Sequence, residues 1–319
     1  MPTVRQAPHE AIVAGTDLRV LAESFERHLR AEGKSPRTIT HYLAGVAALS
    51  RFLQSRGMPL HVEGVSGEHV REFMADLLSH QKASTAHARY RGLQAFFAWL
   101  LVEGEIKDTP LKNLKPPRLP QEQPPVLTED QLRALLRTCE KGDFTSRRDT
   151  ALVRLMADTG ARLSEVLNLR WQPGNPKEND VDFGQALMRI RHGKGDKERI
   201  VHLGNKTLRA LDRYLRKRAT HRNAALPWLW LAPKGRLSPS GLQQLLLRRG
   251  AEANIPGRLH PHIFRHTAAH YELLAGAPEV DVMRQMGWTS RDMVARYAAS
   301  AGQERSWASH EKFGLGDRL

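Results

Sequence analysis

Apolar residues recur at helical spacing in four successive blocks between residues 17 and 104, and each block carries its own start and stop signals. The first stripe is Leu18, Leu21, Phe25 and Leu29, with Thr16 as N-cap and Gly33 past its end. Ser35 and Pro36 open the second, which carries Ile39, Tyr42, Leu43, Val46 and Leu49 before Gly57. Proline suits that first turn because its missing N–H would have found no partner there. Val70, Phe73 and Leu77 follow Ser66 in the third block. Tyr90, Leu93, Phe96, Phe97 and Leu100 follow Ser84 in the fourth, which Gly104 closes. The stripes pack together as the core of a helical domain over 17–108, after a short tail at 1–16.

The periodicity stops at P-L-K-N-L-K-P-P-R-L-P-Q-E-Q-P-P, which cannot continue a helix and favours extended backbone. Residues 109–126 are therefore expected to link two domains. A second domain, 127–319, opens at Thr128, placed in capping-box register with Gln131 ahead of Leu132, Leu135 and Leu136. A helix over about 146–159 ends at Gly160. The alternating stretches A-L-M-R-I-R and E-R-I-V-H-L flank H-G-K-G-D-K and predict a β-hairpin. Helices are expected near 207–219, 240–253, 261–275, 278–286 and 290–299, with a C-terminal tail beyond. The fold class is mainly α with a small antiparallel β-sheet.

Composition narrows the partner. Across 319 residues the formal net charge is +15, with 40% hydrophobic and 26% charged residues. That balance describes a globular protein whose basic surface favours a polyanion such as nucleic acid. Residues 1–120 hold 16 Lys+Arg against 12 Asp+Glu, so the excess lies mainly in the second domain. Cys139 is the only cysteine, which excludes an internal disulfide and a cysteine-based zinc site; its helical context makes it a small buried hydrophobe. The N-terminus has no signal-peptide core, and the longest apolar stretch, near Leu93–Val102, is far short of a membrane span. A cytoplasmic protein without a membrane partner is expected.

The polar faces of the first four helices carry Lys34, Arg37, His41, Lys82, His87, Arg89 and Arg91, and the linker adds Lys112, Lys115 and Arg118. Each is a candidate phosphate contact, although singly a helix-face charge reads first as a solvated one, and the linker residues suit an exposed tether as well as a phosphate backbone.

The second domain holds a more specific set. Arg162 stands in T-G-A-R-L-S-E-V-L, Lys194 in H-G-K-G-D-K-E-R, His262 and Arg265 in H-P-H-I-F-R-H-T, Trp288 in M-G-W-T-S and Tyr297 in A-R-Y-A-A-S. Two guanidiniums, an ammonium, an imidazole and an indole N–H are donors suited to the equatorial oxygens of a transferring phosphoryl group. A phenol among them is a candidate nucleophile, provided that nearby cations or a proton acceptor favour the phenolate. His262 and Arg265, three apart after Pro261, lie at the positive end of a helix dipole, which suits a phosphate. His266 and His270 continue that spacing, but no H-E-x-x-H accompanies them, and a metal ranks below a phosphate here. His266 is expected to be structural, bonded to backbone.

In their order and combination these motifs resemble the tyrosine recombinase, or phage integrase, family over nearly all of Leu18–Tyr297. The resemblance implies a two-domain architecture, with a helical core-binding (SAM-like) domain and a mixed α+β catalytic domain closing around duplex DNA. It implies site-specific breakage and rejoining through a 3′-phosphotyrosyl intermediate, with no metal or other cofactor. Tyr297 would be the nucleophile; Arg162, Arg265, His262 and Trp288 would stabilise the transition state; and Lys194, between two glycines, would protonate the leaving 5′-oxygen. Glu165 would support Arg162 or the histidine. Trp288 stands where many members carry histidine. A homotetramer, or a related heterotetramer, on two DNA sites follows from the same likeness; residues 298–319 are long enough for a segment that docks on a neighbour, as the family's C-termini do, and equally compatible with a disordered tail. With only about sixteen residues ahead of the first helix, the expectation leans toward a simple Xer-like recombinase. Two other readings stay open at this point: a type IB topoisomerase-like enzyme, and a catalytically silent DNA-binding architectural protein.

Overall fold

The computed structural model describes residues 16–120, 124–172, 174–191 and 198–316. The chain divides into two compact units, residues 1–121 and 122–319.

The first unit contains four helices: α1 (Leu18–Ala31), α2 (Pro36–Ser55), α3 (Gly67–His80) and α4 (Ala83–Glu103). Their boundaries follow local chemistry. The Ser35 hydroxyl accepts from Thr38 N at the start of α2, Ser66 forms a capping box with His69 on α3, and Gly104 ends α4 in the left-handed region. Two starts differ from expectation. Asp17, not Thr16, caps α1, because its carboxylate reaches Arg19 N at 2.7 Å. Helix α4 begins at Ala83, one residue ahead of Ser84, and its N-cap Lys82 makes no side-chain capping bond. The expected stripes form the core, with Leu18, Leu49, Leu93, Phe96, Phe97 and Leu100 fully inaccessible.

Helices α2 and α4 touch through their backbones. A Cβ on Gly92 would lie 2.8 Å from Tyr42 O, and one on Gly45 would lie 2.8 Å from Arg89 O. Glycine at both positions permits the close crossing.

The proline-rich stretch belongs in part to this unit. Leu111 is buried in its core, Tyr90 Oη donates to Leu114 O at 2.5 Å, and His87 Nδ1 donates to Pro117 O at 3.0 Å. Proline-rich backbone has unpaired carbonyls, and α4 supplies donors for two of them.

The second unit is α5 (Glu129–Arg137), α6 (Phe144–Thr159), α7 (Leu163–Leu167), β1 (Val181–Asp182), β2 (Leu187–Ile190), β3 (Arg199–His202), α8 (Asn205–Ala219), β4 (Leu231–Ala232), β5 (Gly235–Arg236), α9 (Pro239–Glu252), α10 (Pro261–Leu274), α11 (Glu279–Met286) and α12 (Arg291–Phe313). The hairpin pairs Ile190 with Arg199 and Leu187 with His202, and β1 adds a third antiparallel strand on β2. β4 and β5 form a separate two-stranded ribbon. The sequence pattern did not reveal β1, β4 or β5, since two residues are too few to show alternation. A large core joins α5–α10 with the sheet, and a smaller cluster joins α10, α11 and α12. Helix α12 runs from Arg291 to Phe313, where a break near residue 299 was expected.

No helix among the described residues is long and apolar enough to cross a membrane.

Candidate active site

Three consecutive carbonyls at the C-terminal end of α11 accept from three arginines. Arg199 Nε donates to Gln285 O at 2.9 Å, Arg265 Nη2 to Met286 O, and Arg162 Nη2 to Gly287 O at 3.4 Å. The last carbonyls of a helix have no intrahelical partner and carry its negative end, so cations are favoured there. One helix terminus thereby gathers guanidiniums from β3, from α10 and from the N-cap of α7.

Arg265 is the most deeply set, 4% exposed, and Nη1 reaches Gly160 O at 2.9 Å. Burial, with repulsion from Arg162 and Arg199, lowers its pKa to about 10, against partial compensation by Glu165 and Tyr297. It remains charged at neutral pH. Glycine at 160 also lets Met286 of α11 pack close: its φ is +57°, and a Cβ there would meet Met286 Sδ at 2.6 Å.

Glu165 is the counter-charge. Its side chain is 1% exposed. Arg199 grips it through two nitrogens, Nη1 to Oε1 at 2.8 Å and Nη2 to Oε2 at 2.7 Å. Arg162 adds Nη1 to Oε1 at 2.8 Å and its backbone N to Oε2 at 2.8 Å. Burial raises the carboxyl pKa, but the bonds from Arg199 and Arg162 outweigh it and bring the value to about 2. Arg162 is the more accessible of its two partners, 21% against 12% for the Arg199 side chain.

The aromatic side of the site is a row of rings. Trp288, two residues past the end of α11, stacks on Tyr297 of α12 with centroids 4.8 Å apart and planes 7° apart. The Arg265 guanidinium lies 5.3 Å from the Trp288 ring centre. The ring of His266 is 5.1 Å from Tyr297, and that of His262 is 6.4 Å from His266. Both tyrosine and tryptophan rings are buried, at 5% and 6% exposure, and the indole N–H has no acceptor among the described residues. His262 is exposed at the first turn of α10 while Arg265, one turn on, is buried.

Arg162, Glu165, Arg265, Trp288 and Tyr297 thus meet in one place, and His262 joins them through His266. Lys194 lies outside the described residues. Arg199 was missed by sequence reasoning, although it stands in the same H-G-K-G-D-K-E-R stretch as Lys194. A basic residue opening a strand opposite a polar loop was the available signal. His266, expected to bond backbone, lies between the rings of His262 and Tyr297. No group of three or more His, Cys, Asp or Glu side chains among the described residues is arranged to hold a metal ion.

The basic residues of the first unit are dispersed. Lys34, Arg37, His41, Lys82 and Arg91 are exposed on or beside α1, α2 and α4, and Arg89 is half-buried beside the α2–α4 crossing. His87 is occupied with Pro117, and Lys112 pairs with Asp108 at 2.8 Å. Lys115 and Arg118 are exposed.

Residues 125–304 match the phage integrase family, and residues 21–106 match the N-terminal SAM-like domain of phage integrases. The chain belongs to the phage integrase family, as a tyrosine recombinase of the Xer type. The tyrosine recombinase XerC of Ralstonia pickettii (strain 12J) is 30% identical over 300 residues, covering 89% of this chain and 88% of that protein. Two solved structures share the fold. XerH site-specific recombinase bound to palindromic difH substrate, a post-cleavage complex, matches with a TM-score of 0.72 at 19% identity, covering 91% of this chain and 84% of that one. A lambda integrase tetramer bound to a Holliday junction matches with a TM-score of 0.69 at 16% identity, covering 91% and 81%.

Proposed function

We propose that this tyrosine recombinase cuts and rejoins duplex DNA at specific sites, with Tyr297 as the nucleophile. The phenol oxygen attacks the scissile phosphorus, the bond to the 5′-oxygen breaks, and a 3′-phosphotyrosyl link forms. A 5′-hydroxyl from the partner strand then reverses the step. The phosphodiester energy is kept in the link, so no nucleotide cofactor is consumed.

The observation that carries this reading is the convergence of Arg162 and Arg265 on the turn from Met286 to Trp288, whose tryptophan stacks on Tyr297. Guanidiniums held by backbone carbonyls are preorganised, and fixed donors stabilise developing negative charge without a reorganisation cost at the moment of reaction. In this reading Arg162 and Arg265 bind the non-bridging oxygens, the Trp288 N–H donates to one of them, and His262 assists from the end of the ring row. Lys194 is assigned to protonate the 5′-oxygen, the role of the matching family lysine. Glu165 orients Arg162. The tyrosine ring is buried against Trp288, so attack requires α12 to present its hydroxyl to bound DNA.

The first unit, its linker included, is proposed to grip the duplex through Lys34, Arg37, His41, Lys82, Arg89, Arg91, Lys115 and Arg118. Lys112 and His87 would act there only after leaving their present partners. Four copies on two DNA sites, in the cytoplasm, complete the reading, and the lambda integrase tetramer on a Holliday junction supports the assembly.

A nicked suicide substrate carrying the cognate site tests it. Wild type should accumulate a covalent protein–DNA adduct, and Tyr297→Phe should bind the same DNA without forming one. If wild type forms no adduct there, the catalytic assignment is wrong. Products joined between two sites, rather than relaxed circles alone, separate recombination from topoisomerase activity.

A further inference from the structure

Two arginines share one buried carboxylate, and they share it unequally. Arg199 takes both oxygens of Glu165 with a planar two-nitrogen fork, while the Arg162 guanidinium reaches only Oε1 through Nη1. A guanidinium has five N–H donors. Arg162 spends two of them on the described residues, one at the long distance of 3.4 Å to Gly287 O. Arg199 spends three, one from each of its nitrogens.

Glu165 is nearly inaccessible to water, so its charge must be compensated by the groups that touch it. Without Arg199, that demand would fall on Arg162 alone. The carboxylate would then draw the Arg162 guanidinium into a two-nitrogen pairing, the geometry that such pairs prefer. Donors otherwise available to a phosphate oxygen would be consumed, and the side chain would turn inward from its present, partly accessible position.

We propose that Arg199 is a positioning residue for strand cleavage: by occupying both oxygens of Glu165, it keeps Arg162 bound to that carboxylate through one nitrogen and leaves its remaining donors for the scissile phosphate. Its third bond, from Nε to Gln285 O, fixes the fork to the end of α11, next to the carbonyls that hold Arg265 and Arg162. The inference rests on the role given above to Arg162. It adds a residue and a reason for it: competition for one carboxylate, not contact with DNA.

The test is single-turnover cleavage of the suicide substrate by wild type, Arg199→Ala, Arg199→Lys, Glu165→Gln and the double variant Arg199→Ala/Glu165→Gln, with DNA affinity and thermal melting measured on each. Arg199→Ala should slow cleavage on the order of ten- to a hundredfold, the range expected for residues coupled in one charged network. Its DNA affinity should stay within about threefold of wild type, because phosphate charge elsewhere dominates binding. Arg199→Lys keeps the charge but lacks the fork, and should recover only part of the rate. Adding Glu165→Gln to Arg199→Ala removes the competing charge and should restore most of it.

Cleavage by Arg199→Ala or Arg199→Lys at the wild-type rate would overturn the proposal. So would a double variant as slow as Arg199→Ala, since a loss that neutralising Glu165 does not relieve is a loss of structure. If Arg199→Ala does not fold, the lysine and double variants still decide. Adduct formation by wild type on the same substrate is scored separately, so that failure of the Arg199 inference is distinguished from failure of the cleavage reading.

Discussion

Trp288 and Tyr297 lie face to face, 4.8 Å apart and 7° from parallel, at the junction of α11 and α12. The stack gives the tyrosine a fixed neighbour with a buried N–H that has no acceptor among the described residues. An unmet buried donor costs free energy, and a phosphate oxygen would satisfy it. Trp288→Phe keeps a ring against Tyr297 and removes the donor, so cleavage should fall on the order of tenfold or more while melting changes little. Trp288→His restores a donor and should exceed the phenylalanine variant in rate. Single-turnover adduct formation reads both; equal rates for the two variants would remove the indole N–H from the reaction.

The two arginines proposed to bind the scissile phosphate should fail differently. Either alanine substitution should slow cleavage on the order of a hundredfold or more. Arg265 is buried and spans Gly160 O and Met286 O, so Arg265→Ala should also lower the melting temperature by unpairing both carbonyls. Arg162 is partly accessible, and its loss leaves Arg199 on Glu165. Arg162→Ala should therefore melt closer to wild type. Parallel melting and cleavage assays check the contrast.

Glu272 of α10 gives a pH signature. Burial first, and then the nearby charge of Asp158, push its pKa up to about 7 from the ordinary carboxyl value of 4.5, and Gln285 Nε2 donates to it. The folded state then holds a proton that the unfolded chain releases, so this group's contribution falls as pH rises from about 4.5 through about 7. Glu272→Gln removes the dependence. Its melting temperature relative to wild type should rise between pH 5 and pH 8, as calorimetry at a series of pH values would show; a constant difference would contradict the shifted carboxyl.

In the first unit the α2–α4 crossing is the sensitive point. Gly92→Ala places a methyl group 2.8 Å from Tyr42 O, backbone that cannot move aside cheaply. A destabilisation of about 1–3 kcal/mol is expected, the usual cost of overpacking. Urea unfolding should show it, and DNA affinity should fall with it if α2 and α4 carry the duplex contacts.

Much of the molecule was legible before any coordinates. The helices of the first unit follow from stripes such as Leu18–Leu21–Phe25–Leu29 and from Ser35, Ser66 and Gly104, because capping and amphipathicity act within a few residues. The family motifs were equally plain, since each is a short run of adjacent residues. The slip from Thr16 to Asp17 is of the same local kind, two adjacent polar residues competing for one cap.

What no window of residues contains is the end of α11. Gln285, Met286 and Gly287 offer carbonyls to arginines 86, 21 and 125 positions away, and that offer exists only once β3, α10 and the α7 N-cap are packed around them. The motif spelled out Arg162 and Arg265, whereas Arg199 looked like one more charge on a polar hairpin until Glu165 was found buried between two guanidiniums. Helix propensity is a property of neighbours along the chain; the compensation of a buried charge depends on whichever groups folding brings within about 3 Å.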